Sequence, residues 1–382
     1  MMGLSSSPPG HPIRDSVPES QWSDWRWQLG HSLSTAEEFE AALQLSPSER
    51  QALERVGDDL PEVSVTPYFL SLMSPTDPRC PLRRQALPDP EDLVSAPGEG
   101  ADPLGERPRA PVNGLIHRYR DRVVLLVSSR CALRCRHCNR RARGAEEFIY
   151  GPEGEEAALA YVSSHPEVRE AILSGGDPLT LSDEALDRWL SRLRRIPHLE
   201  LLRVHTRMPA TCPMRVTPDL VRLLSRHGPL YLLTQFNHPR EVTDEAREAC
   251  ERLAEAGIPL ANQSVLLRGV NSDLDVLTDL SRALLRARVR PYYLFQLDPV
   301  VGTERFKTPV AAGIELVGRM RGRLSGLGIP SFVLDAPGGH GKVALLPESI
   351  LGTEPGRLRL RTSSGAIVDY PDTGAWDLEV PA

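Results

Sequence analysis

From Arg122 onward the chain alternates apolar runs of strand length with helical patterns, and that rhythm leaves few folds open. Strands are expected at 123–129, 171–174, 201–206, 230–236, 259–267 and 290–297. Helices are expected between them, near 154–165, 183–195, 218–227, 244–256 and 273–287. Two of these have clear starts, Thr217 before Pro218 and Thr243 before Asp244 and Glu245, because a threonine oxygen caps free N–H groups and proline suits the first helical position. Six strand–helix repeats predict an α/β fold: a parallel sheet with right-handed crossovers. Their spacing suits a partial or full barrel better than a solenoid of short repeats.

The flanks read differently. Residues 1–20 are rich in Ser and Pro and lack a long apolar core, so a disordered lead-in is expected rather than a secretory signal. Residues 21–111 form an N-terminal region. Its first part, 21–75, is helical in pattern, with Trp22, Trp25 and Trp27 and a capping-box signature at Ser34-Thr-Ala-Glu37. Its second part, 76–111, is punctuated by proline and is expected to wrap a neighbouring surface in extended form. The barrel core spans 112–300. The C-terminal region, 301–382, holds a helix near 309–327, a strand at 331–335, a glycine-rich loop and a hairpin at 357–361 and 366–370.

In parallel α/β folds ligands bind at the carboxyl ends of the strands, and the unusual residues fall there. Cys131-Ala-Leu-Arg-Cys135-Arg-His-Cys138 follows the first strand, Ser174-Gly175-Gly176-Asp177 the second, Arg207 the third and Asp298 the sixth, while Gln235 and His238 close the fourth. Three thiolates at this spacing can hold three irons of a [4Fe–4S] cluster and leave the fourth open. Zinc is the alternative, but it takes four ligands; His137 would have to share a tight loop with Cys138. Cys80, Cys212 and Cys250 are scattered and read as small apolar residues.

The other motifs are weaker alone. The Gly-Gly-Asp element is by itself a turn that ends a strand. Asp335-Ala-Pro-Gly-Gly-His-Gly-Lys342 is not a phosphate-binding P-loop. Its lysine is either a surface residue on a flexible loop or, if partly desolvated, a Schiff-base former with a lowered pKa. His117-Arg-Tyr-Arg-Asp-Arg122 is either a solvated charged turn or a grip for a dianion. Arg140, Arg141 and Arg143 lack interleaved aromatics, which suits a carboxylate clamp better than a nucleic-acid patch. The net charge of −6 and the lack of an 18-residue apolar run agree with no nucleic acid, no membrane and a cytoplasmic location.

Taken together, the chain resembles the lysine 2,3-aminomutase family of radical S-adenosylmethionine (SAM) enzymes. The likeness runs through Trp22-Ser-Asp-Trp25-Arg-Trp27, Val65-Thr-Pro-Tyr68, Cys80-Pro-Leu-Arg-Arg-Gln85 and His117–Arg122. It continues through the cysteine motif, Phe236-Asn-His-Pro239, Leu267-Arg-Gly-Val-Asn271, Val289-Arg-Pro-Tyr-Tyr293 and Asp335–Lys342. The resemblance implies a radical-SAM partial (β/α)6 barrel with a helical N-terminal region and a small C-terminal extension. It implies three cofactors. A [4Fe–4S] cluster sits on Cys131, Cys135 and Cys138, SAM is held by Ser174, Gly175, Gly176, Asp177 and Gln263, and pyridoxal 5′-phosphate is carried on Lys342. Arg118, Tyr119 and Arg122 would hold the phosphate, Arg140 the substrate α-carboxylate, and Asp298 with Asp335 the distal ammonium of lysine. The implied reaction moves the amino group of L-lysine from C2 to C3. A reductant of flavodoxin or ferredoxin type and a homo-oligomer are implied as partners.

Three departures stand out. Gln235 replaces an expected histidine, His340 interrupts an expected glycine run, and the tail lacks the cysteines that some relatives use for zinc, so no zinc is expected. Competing readings are an aminomutase for arginine or another amino acid, a maturation enzyme supplying β-lysine to a translation factor, and a non-catalytic iron–sulfur protein.

Overall fold

The computed structural model describes residues 11–371, apart from 59, 347, 355–356 and 363–364. Nine strands form one sheet in chain order: β1 (Leu115–Tyr119), β2 (Arg122–Ser128), β3 (Glu170–Gly175), β4 (Leu201–His205), β5 (Leu230–Thr234), β6 (Leu260–Leu266), β7 (Arg290–Gln296), β8 (Ser331–Ala336) and β9 (Gly341–Ala344). Strands β2 to β8 are parallel. The first and last strands run antiparallel to their neighbours. All six expected strands are present. The sheet is larger than expected, however. The 331–335 segment is a seventh parallel strand, and the barrel continues past residue 300. The His117–Arg122 segment is not a free charged turn: its first half is the end of β1, paired back onto β2.

Alternation along the strands separates two environments. Val123, Leu125 and Val127 of β2, Ala171 and Leu173 of β3, and Leu202 and Val204 of β4 join one apolar core with the outer helices. Their neighbours Val124, Ile172, Ser174, Arg203 and His205 face the barrel interior. The outer helices follow from their patterns. In Asp183–Arg194, Leu186, Trp189, Leu190 and Leu193 form a buried stripe, and the Ser182 hydroxyl accepts from Ala185 N. In Leu274–Arg286 the Asp273 carboxylate caps two N–H groups and Leu277, Leu280 and Leu284 are buried. No described helix is long and apolar enough to cross a membrane.

The two sheet ends, β1 and β9, make no backbone pairing with each other among the described residues; side chains of β1 reach β8 and β9 instead. Arg118 Nη2 donates to Asp335 Oδ1 at 2.6 Å, and Lys342 N donates to Tyr119 Oη at 3.1 Å. The barrel therefore has a seam, closed by residues that also face its interior.

The N-terminal region packs around its own apolar cluster, including Trp22, Phe39, Val65, Tyr68, Phe69 and Leu82. Leu133 of the cysteine loop inserts into it. Backbone bonds clamp the same loop: Thr66 N to Ala132 O at 3.2 Å, Arg134 N to Ser64 O at 2.9 Å and Arg136 N to Gln85 O at 2.9 Å. Asp92, fully buried, pairs with Arg136 at 2.9 Å and Arg305 at 2.7 Å, which ties the wrapping segment to both the loop and the barrel. Buried ions need such pairing. Three expectations change here. The proline-rich segment is not extended throughout, since Pro81–Ala86 is helical and Pro90–Leu93 and Arg107–Arg109 form single 3-10 turns. Residues 11–20 carry short helices, Pro12–Asp15 and the start of Glu19–Trp22, rather than a disordered lead-in; residues 1–10 lie outside the described residues. The capping box sits one residue later than expected, on Thr35 and Glu38.

Beyond the barrel, β10 (Ile350–Glu354), β11 (Arg357–Arg361) and β12 (Ile367–Pro371) form an antiparallel sheet, one strand more than the expected hairpin.

Candidate active site

A cavity of about 1010 Å³ occupies the barrel interior at the carboxyl ends of the strands. Every residue that the sequence assigned to a site lines it: Cys131, Cys135, Cys138, Arg118, Tyr119, Arg122, Arg140, Ser174, Gly175, Gly176, Asp177, Gln263, Asp298, Asp335 and Lys342.

The cysteine loop leaves β2 and passes against the end of β3. Gly175, at φ +131°, and Gly176 make this approach possible: a Cβ on Gly176 would lie 2.9 Å from Cys131 Sγ. Burial pushes the Cys131 and Cys138 thiols up. Cys138 Sγ accepts from Arg140 N at 3.3 Å, and Cys135 Sγ accepts from Arg207 Nη1 at 2.7 Å. Among the described residues, no three His, Cys, Asp or Glu groups are arranged to hold one metal ion. Three cysteines on one wall with N–H donors aimed at two of their sulfurs fit a multi-iron cluster, in which each thiolate takes its own iron.

Asp177 bridges two strand ends beside the cavity. Its Oδ1 accepts from Thr206 Oγ1 at 2.7 Å and Leu179 N at 3.0 Å, and its Oδ2 from Arg207 N at 2.7 Å. Burial raises its pKa to about 6 against these bonds. The carboxylate thus ties the end of β3 to the end of β4, next to the Ser174–Gly176 backbone on the cavity wall.

Arg140 is already engaged. Its Nε and Nη2 bind Glu106 at 2.9 and 2.8 Å, while Nη1 lies 3.3 Å from Ser174 Oγ. Burial works against the Glu106 charge, but Arg140 and Arg143 outweigh it and bring the carboxyl down to about 2. Glu106 comes from the proline-rich wrapping segment. Nothing in its local sequence marks it, since its role depends on where that segment lies.

Opposite, the seam forms a charged corner. Asp335, on β8, faces Lys342, on β9, as a paired residue, with Lys342 Nζ 3.4 Å from Asp335 Oδ1. The Lys342 ammonium also lies 5.7 Å from the Tyr119 ring and 5.4 Å from the Phe295 ring. Arg122 stacks over Tyr119 at 4.1 Å. Arg118 uses one nitrogen on Asp335; its Nη1 is buried without a partner. An unpaired guanidinium N–H on a cavity wall, beside a phenol and a second arginine, suits an anionic group.

Asp298 sits just beyond β7 and accepts from Asn139 Nδ2 at 3.1 Å. It forms no ion pair among the described residues. Burial, with nearby Asp335, pushes its carboxyl up to about 7. His205, at the end of β4, was also missed from sequence. Burial and then the nearby Arg203, Arg140 and Lys342 charges hold it well below the usual histidine range, so the ring is neutral.

Comparison with known proteins agrees with this geometry. The profile of the radical SAM superfamily matches residues 125–280, which covers the cysteine loop and the strands from the second half of β2 to β6. Fold, site and match together define a radical SAM enzyme, a class that implies a [4Fe–4S] cluster and SAM. A second profile, described as lysine-2,3-aminomutase, matches residues 317–377. The chain is 44% identical to an L-lysine 2,3-aminomutase of Acetoanaerobium sticklandii, over 93% of this chain and 86% of that one. It is 43% identical to an L-lysine 2,3-aminomutase of Clostridium subterminale with the same coverage. A glutamate 2,3-aminomutase of Clostridioides difficile is 36% identical over 94% of this chain and 85% of its own. This chain belongs to the lysine 2,3-aminomutase family and is an isomerase of that kind.

Proposed function

We propose that the chain converts L-lysine to β-lysine, using a cluster on Cys131, Cys135 and Cys138, SAM along Ser174–Asp177 and Gln263, and pyridoxal phosphate on Lys342. The observation that carries the substrate is Asp298: a half-buried carboxylate at the cavity wall, held up to about 7 and without a cationic partner among the described residues. A distal ammonium would complete it. A substrate with a distal carboxylate would face repulsion there, which argues against glutamate.

The protein groups then divide the work. Asn139 aims Asp298. Glu106 fixes the Arg140 fork, so that Nη1 is the edge left for an α-carboxylate. Arg118, Tyr119 and Arg122 offer donors to a phosphate. Lys342 supplies the amine that joins a carbonyl carbon. SAM, when cleaved by a cluster electron, supplies the radical that takes a hydrogen from C3. Pyridoxal, when bound, supplies the conjugated ring that spreads the unpaired electron during amino migration. The barrel excludes water around both.

The experiment is an anaerobic turnover assay with iron, sulfide, pyridoxal phosphate, SAM and dithionite, giving lysine, arginine and glutamate separately. β-Lysine from lysine alone is expected. β-Arginine instead would keep the chemistry and replace the substrate, because Asp298 accepts a guanidinium as well as an ammonium. Rearrangement of glutamate would refute the assignment of Asp298.

The pH dependence provides a second check. Lysine needs Asp298 ionised, and below about 7 the carboxyl is protonated. Lysine affinity is therefore expected to rise with pH, by up to about tenfold per unit below 7, and to level off above it. Asp298→Asn should weaken lysine binding and flatten that profile. An unchanged slope would remove Asp298 from the site.

A further inference from the structure

Arg207 lies at the end of β4 with its side chain 8% exposed. Four acceptors from four parts of the chain hold its guanidinium. Nη1 donates to Cys135 Sγ at 2.7 Å, Nε to Gln235 O at 3.1 Å, and Nη2 to Gln85 Oε1 at 2.7 Å and Glu241 Oε2 at 3.1 Å. The acceptors are themselves fixed. Gln85 Nε2 donates to Glu241 Oε1 at 2.9 Å, and Asn237 Nδ2 donates to Gln85 Oε1 at 3.0 Å. Phe69 lies under the guanidinium, 5.7 Å from it. A guanidinium stays protonated at any pH the protein meets. The cation is permanent and cannot swing away.

A permanent N–H donor on a cluster sulfur has one clear electrostatic effect. Reduction adds negative charge to the iron–sulfur unit, and a fixed cation bonded to its ligand stabilises that charge. The buried Glu241 carboxylate acts in the opposite sense at longer range. We propose that Arg207 is a positioning residue that sets the reduction potential of the cluster through Cys135, with Glu241 as the counter-charge that tempers it. The proposal rests on reading the three cysteines as cluster ligands. The step involved is a single electron passing from a low-potential donor into the cluster, from the 2+ to the 1+ state; no bond at Arg207 forms or breaks.

The test compares the native chain with Arg207→Lys, Arg207→Gln and Glu241→Gln. Each is reconstituted anaerobically, its iron and sulfide are counted, and it is titrated with dithionite while the reduced cluster is followed by electron paramagnetic resonance. The Arg207→Gln midpoint should shift to lower potential and the Glu241→Gln midpoint to higher potential. Arg207→Lys should fall between the native chain and Arg207→Gln, because it keeps the charge but not the fork. Equal midpoints, or shifts of one sign in the Arg207→Lys and Glu241→Gln pair, would overturn the proposal; that pair decides it even where Arg207→Gln fails to load iron. A native chain that takes up no iron and sulfide would overturn the cluster reading itself, and the proposal with it.

Discussion

Cys138→Ala is expected to yield a folded chain that assembles no four-iron cluster and forms no deoxyadenosine from SAM. The sulfur is half-buried at the cavity wall and accepts only a backbone N–H, from Arg140 at 3.3 Å. Alanine therefore removes a ligand without stranding a charged partner. The loop itself is held elsewhere, by the backbone clamps to 64–66 and 85 and by Leu133 in the N-terminal core. Folding and cluster assembly should separate. Iron and sulfide analysis beside circular dichroism measures both, and amino migration should fall by about 10⁴-fold or more, as for loss of a group the reaction cannot bypass. A variant that retains the full iron content would show that Cys138 is not a ligand.

Lys342→Ala carries the second large effect. In the resting chain the ammonium is held by Asp335 and by the Tyr119 and Phe295 rings. Its removal should abolish the visible absorbance of lysine-linked pyridoxal and cut amino migration by about 10⁴-fold or more. Cluster content and reductive cleavage of SAM should survive, because the cysteines lie on a separate loop. Retained absorbance would place the link on another lysine. Loss of the cluster as well would show that the two halves of the cavity are not independent.

The barrel was legible because its signals are local. Apolar runs and capped helices such as those beginning after Thr217 and Thr243 depend on nearby residues, and they appear where expected. The site residues were legible for another reason: a parallel sheet forces the strand ends together, so Cys131, Ser174 and Asp298 meet in one cavity although far apart in sequence. What was not legible depends on long-range contacts. β1 and β9 are short edge strands whose pairing comes from their neighbours. Glu106 is ordinary until the wrapping segment sets it between Arg140 and Arg143. The motif placed Asp177 at a strand end but did not show that its oxygens also accept from Thr206, Leu179 and Arg207. Nothing in a motif tells which way a carboxylate turns.

The seam bears on how such a wall can change over time. A barrel closed by strand pairing is held by the main chain, and almost any side chain may vary without opening it. Here β1 meets β8 and β9 through Arg118, Tyr119, Asp335 and Lys342, and those same groups face the interior. Selection therefore cannot adjust the chamber's chemistry and the firmness of its closure separately. Any drift toward a new substrate at this corner is also an alteration of the joint, and it survives only if the replacement still fastens the two edges.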